Sequence, residues 1–207
     1  MGKEKIELTI PTNWEDITIG MYQQYIELKK KKLEEDEEII ELVCVLCSVD
    51  KDTLERIKYK DLKFIAKTLN KFMGTEIKEK ELVKKIEFKG KKYGMIPNLS
   101  SISLGEFVDI ENLVKKSHDN LHKIMSILYR PIIKEQGTRY SVEEYKPDEY
   151  KEDLFKDFSI TISMSALNFF FLLGKKLPII LNNYLVERQR EKVATLQRLA
   201  KSGGGII

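Results

Sequence analysis

Two hexapeptides in this 207-residue chain share one pattern: aliphatic, hydroxyl, aliphatic, glycine, a long side chain, then an aromatic. The first is Ile17-Thr18-Ile19-Gly20-Met21-Tyr22 and the second Ile102-Ser103-Leu104-Gly105-Glu106-Phe107. Each follows an Ile-Pro step, Ile10-Pro11 and Ile96-Pro97. Thr18 and Ser103 are helix-capping residue types, because a side-chain oxygen there can accept an orphan N–H of the next turn. Glu106 stands three residues after Ser103, which completes a capping box. The repeated unit therefore reads as extended segment, proline loop, capped helix and second helix. Leu42, Cys44 and Leu46 in the first half correspond to Ile124, Ser126 and Leu128 in the second. Repetition of this kind constrains architecture rather than chemistry.

Periodicity fills in the remaining elements. Ile6, Leu8 and Ile10 alternate as in a half-buried strand, and Pro11 ends it. The Thr18 helix carries Tyr22, Tyr25, Ile26 and Leu28 before dissolving into Lys29–Lys32. The acidic run Glu34–Glu38 suits the first turn of a second helix, where the macrodipole favours negative charge. Helices are also expected around Thr53–Ile57 and over Asp61–Met73, with Gly74 as C-cap. Ile86, Phe88, Tyr93 and Met95 flank Lys89-Gly90-Lys91 as a hairpin, the glycine supplying positive φ. Further helices run from Ser103, over Asp119–Tyr129 to a stop at Pro131, through the apolar segment to Leu173, and over Pro178–Lys201. The polar stretch Ile133–Pro147 reads as a loop. The expected fold is mainly α with minor β, a helical protein with a short N-terminal strand and a central hairpin. The expected lobes are 1–85 and 86–207, or one compact domain 1–185 with a helical arm 186–207.

Composition narrows the function classes. The chain holds 36 basic and 33 acidic residues interleaved along its length, so its net charge of +3 provides no broad field for nucleic acid. Residues Met1–Ile10 lack an apolar signal-peptide core. The run Phe158–Leu173 is shorter than the roughly 20 residues needed to cross hydrocarbon. Ser159, Thr161, Ser163, Ser165 and Asn168 also interrupt it, so it reads as a buried helix with no membrane role. Two cysteines without framework spacing fit a reducing compartment.

Catalytic constellations are weak. His118 and His122 share the four-residue spacing of a metal pair, but Asp119 stands where a zincin has glutamate, and no third ligand accompanies them. Cys44 and Cys47 form a CxxC inside an apolar helix, without the context that activates a thiolate. Gly203-Gly204-Gly205 precedes no helix and cradles no phosphate. These readings lead to no catalytic residue, metal or cofactor, and to an expectation that the chain is not an enzyme.

Two segments have binding character. Phe169, Phe170 and Phe171 sit in the apolar helix. Leu185, Val193, Leu196 and Leu199 form a stripe along the last one, punctuated by Arg188, Arg190, Lys192, Arg198 and Lys201. The apolar stripe fits a partner helix or groove, and the basic positions fit nucleic acid or an acidic partner.

The capped hexapeptides, the hairpin Gly90-Lys91-Lys92-Tyr93, Leu104-Gly105-Glu106-Phe107-Val108-Asp109, Leu128-Tyr129-Arg130-Pro131 and Leu167–Leu173 together resemble structural-module proteins of tailed bacteriophages. The nearest likeness is to helical tail assembly chaperones. The resemblance implies a non-enzymatic assembly or structural protein of the host cytoplasm or virion. Its partners would be other phage proteins, such as a long helical tape-measure-like client, and further copies of itself. The implied binding residues are the three phenylalanines and the Leu185–Leu199 stripe. The alternative is a nucleic-acid-associated or internal virion protein acting through the basic positions of the C-terminal helix. Whether the end Gly203–Ile207 arises by recoding is written in nucleotides, not in residues.

Overall fold

The computed structural model describes residues 6–78, 80–96, 102–146 and 152–172. The chain divides into two compact units, Met1–Ala166 and Leu167–Ile207. The protein is mainly helical with one small antiparallel sheet.

The first unit opens with an unexpected result. Residues 6–10 alternate in burial as their sequence alternates, yet they form no strand, because no neighbouring chain segment pairs with their backbone. The expected N-terminal strand is thus an extended, unpaired lead-in. A 3-10 turn at Trp14–Asp16 follows, and the Trp14 indole packs edge-on against Tyr22 and Phe72. The Trp14 Nε1–H reaches the Thr75 carbonyl and hydroxyl at 3.2 and 3.1 Å, tying the loop to the end of a later helix.

Helix α1 (Ile19–Lys30) begins at Thr18, whose Oγ1 accepts the Met21 N–H at 3.2 Å. Helix α2 (Glu35–Cys47) places four acidic side chains in its first turn, as the dipole favours. Short α3 (Lys51–Glu55) is capped by Asp50, and α4 (Tyr59–Met73) packs on α2 through Leu62, Ile65, Ala66 and Leu69. Gly74 does cap α4, but with φ −77°, so its freedom at positive φ is not used.

Strands β1 (Lys85–Phe88) and β2 (Lys91–Met95) form the expected hairpin. Lys89 and Gly90 both have positive φ, at 48° and 73°, the handedness that matches the twist of a two-residue turn. Helix α5 (Leu104–Val114) starts with the complete Ser103–Glu106 capping box, and α6 (Ser117–Leu128) follows after a short turn.

The chain then departs from its sequence reading. Pro131 does not stop the structure. Residues Tyr129–Gln136 form β3 and Arg139–Val142 form β4, so the expected loop over Ile133–Pro147 is largely a second hairpin, turning at Gly137 with φ 60°. The sheet order is β1-β2-β3-β4, antiparallel throughout. Pro131 is tolerated in an inner strand because its carbonyl, accepting from Glu143 N at 3.0 Å, sits at the outer end of the β3–β4 ladder. Its missing N–H therefore costs one terminal bond.

A 3-10 segment (Glu152–Asp157) leads into helix α7 over residues 160–172. The starts of α1 and α7 are joined by an antiparallel bridge between Thr18 and Ser159, with Ile19 N to Phe158 O at 2.8 Å and Ile160 N to Ile17 O at 3.0 Å. The hydroxyls that interrupt the apolar run are satisfied within it. Ser163 Oγ donates to Ser159 O at 2.7 Å, and Ser165 Oγ donates to Thr161 O at 3.0 Å. The core gathers Ile17, Ile19, Leu46, Leu121, Ile124, Met125 and Ile160, with an aromatic cluster of Phe88, Tyr93, Tyr129, Phe155 and Phe158.

Candidate functional site

Consecutive residues of an α-helix point about 100° apart, so three adjacent phenylalanines cannot share one face. In α7, Phe169 is half-buried and Phe170 is buried, whereas Phe171 is 41% and Leu172 60% exposed. The described apolar surface here is therefore Phe171 with Leu172, a pairing the sequence reading did not single out. Leu185, Val193, Leu196 and Leu199, and the basic Arg188, Arg190, Lys192, Arg198 and Lys201, lie outside the described residues, as does the helix expected over Pro178–Lys201.

The two histidines belong to the seam between α1 and α6. His118 Nδ1 lies 3.2 Å from the Tyr22 hydroxyl, and His122 Nδ1 lies 3.0 Å from Gln23 Nε2. The Gln23 amide also donates to the carbonyls of His118 and Asp119, both at 2.8 Å. One glutamine thus gathers the first turn of α6, and this structural bonding occupies the Nδ1 atoms that a metal pair could use. Among the described residues, no group of three His, Cys, Asp or Glu side chains is placed to hold a metal, and no helix is long and apolar enough to cross a membrane.

Both thiols are free, and burial raises the pKa of each. Cys47 is pushed up to about 11, first by desolvation and then by Cys44. It stays a protonated thiol near neutrality, so Cys47 is expected to resist a thiol-specific disulfide reagent at pH 7.5 until the protein is denatured. A thiol raised in the folded state contributes stability in full below its ordinary value of 9.0. That contribution is lost as pH climbs through about 11. Urea midpoints for native protein and Cys47→Ala between these limits would check the sign: the difference between them should shrink as pH rises.

Sequence reasoning treated Glu106 only as half of a capping box. Its Oε2 does accept the Ser103 N–H at 2.6 Å. Its Oε1 also lies 2.8 Å from Arg130 Nη2, an ion pair whose side chains are only 4% and 8% exposed. That contact is off the hydrogen-bond line, and Glu106 Oε1 and Arg130 Nε both lack a hydrogen-bond partner. The pair ties the start of α5 to β3 beside a cleft of about 490 Å³ lined by Ile96, Tyr140 and Tyr145. Only the Leu128-Tyr129-Arg130-Pro131 segment hinted at it, by placing a guanidinium between two apolar runs.

A second feature escaped the sequence reading. Helix α4 buries Leu62, Ile65, Ala66, Leu69 and Met73, and Phe64 stands at the centre of the opposite face, 69% exposed. Lys60, Lys67 and Lys71 surround it at positions i−4, i+3 and i+7. The strong two-sided pattern of α4 was legible, but Phe64 was absorbed into its apolar count.

No protein-family model matches the chain, and no curated protein or solved structure matches it either.

Proposed function

We propose that this protein is a non-catalytic binding module that acts in assembly by covering an apolar helical partner, in the manner of a tail assembly chaperone of the host cytoplasm. The observation that supports this reading is the exposed Phe171–Leu172 pair on α7. It stands at the head of a segment whose sequence continues as an apolar stripe through Leu185, Val193, Leu196 and Leu199. Large apolar side chains displayed together mark contact surface, and a helical client offers the matching face. The resemblance to phage structural modules supplies the identity of the client class, a long helical protein of the same particle.

The test is a pull-down of tagged protein from infected cells, with mass spectrometry and nucleic-acid staining of one eluate. The expected result is near-stoichiometric recovery of a long helical phage protein, lost with the double variant Phe171→Asp, Leu172→Asp. Recovery of nucleic acid alone, lost at high salt, would overturn the reading in favour of the basic C-terminal residues.

A further inference from the structure

We propose that the α2–α4 face is a self-association surface on which two copies of this chain meet about a two-fold axis. Each copy would place Phe64 in the other's α2–α4 groove. This goes beyond the client reading and does not depend on it.

The face carries both halves of a complementary contact. Phe64 is the knob, an aromatic ring 69% exposed where a helix normally shows only polar groups. Around it, Lys60, Lys67 and Lys71 make no ion pair among the described residues. Beside it runs a groove of about 410 Å³ between the helices, floored by Ile39, Leu42 and Ala66 and rimmed by Glu35 and Glu38. The first turn of α2 adds Glu34, Asp36 and Glu37, all exposed. An apolar floor with a carboxylate rim is the chemical complement of a phenylalanine ringed by lysines. Both lie on adjoining helices of one surface, which is the arrangement an isologous interface requires.

Charge selects this occupant over others. Nucleic acid attracted to the lysines would meet five acidic side chains at residues 34–38 alongside them. An acidic protein would meet the same repulsion, and a basic one would be repelled by α4. A second copy presents both signs, and the two-fold sets lysine opposite glutamate twice.

Sedimentation of the full chain across a concentration series tests the proposal, with charge reversal as the decisive arm. Wild type is expected to dimerise reversibly, more weakly at high salt, and Phe64→Asp to remain monomeric while keeping its circular dichroism. Lys67→Glu and Glu35→Lys are each expected to weaken dimerisation roughly tenfold, since each places like charges opposite one another at two symmetric points. Mixing these two variants restores every contact, so the mixture should form a heterodimer at near wild-type affinity. A wild-type chain monomeric at all concentrations, a dimer indifferent to Phe64→Asp, or a mixture that fails to associate would each overturn the proposal.

Discussion

Arg130→Met is expected to destabilise the fold by about 3–5 kcal/mol, the usual cost of leaving one buried charge without its partner. Glu106 would keep its capping bond to Ser103 N at 2.6 Å, but its carboxylate would stand in the interior with no counter-charge. On a domain stable by roughly 5–15 kcal/mol, that loss is large enough to bring unfolding close to room temperature. The double variant Arg130→Met, Glu106→Gln separates charge from capping. Glutamine still accepts the Ser103 N–H and carries no charge, so more than half of the lost stability should return. Urea denaturation of the four proteins closes this cycle. A single-variant loss below about 1 kcal/mol would mean that water reaches the pair and that it is not a buried contact.

Gly94→Ala has the next largest expected effect, about 1–3 kcal/mol. A Cβ at this position would fall on the Tyr140 ring, which reaches from β4 across β3 to cover the glycine. The ring cannot simply swing aside. Its hydroxyl is held within reach of two carbonyls, Met95 O at 2.6 Å and Lys84 O at 3.0 Å. Glycine is thus required by the close approach of a side chain rather than by its own backbone angles. In a Tyr140→Ala background the added methyl meets open space, and the cost of Gly94→Ala should fall below about 0.5 kcal/mol. Equal costs in both backgrounds would refute the steric account.

The parts of this fold that were legible in the sequence are those governed by neighbours a few residues away. Thr18 and Ser103 cap the helices they were expected to cap, because an N-cap is a bond between residues three apart. The Lys89–Gly90 turn and the acidic start of α2 follow from equally local rules. What failed depended on distant partners. Residues 6–10 have the pattern of a strand but no strand beside them, and a pattern alone makes no ladder. The β3–β4 hairpin was hidden because Lys134, Glu135 and Gln136 are exposed and polar, and because Pro131 ordinarily marks an end.

The repeat is seen in the two capped helices and their followers. Its extended lead-in pairs only in the second copy, where β2 precedes α5. At the candidate sites the same division holds. The Glu106–Arg130 pair joins residues 24 positions apart across two elements, and nothing in either local sequence names the other. Phe64 could have been found from the helical wheel of α4, where it falls opposite Leu62, Leu69 and Met73, had exposure been asked of each apolar residue separately.

The proposed binding role stands or falls on which surface a client covers. Hydrogen exchange of the protein alone and in its captured complex measures this peptide by peptide. The account predicts added protection over the exposed end of α7 at Phe171–Leu172 and onward through the Leu185–Leu199 stripe, with α5 and the four-stranded sheet unchanged. Protection confined to the sheet or α5, with residues 171–199 exchanging as in the free protein, would contradict it.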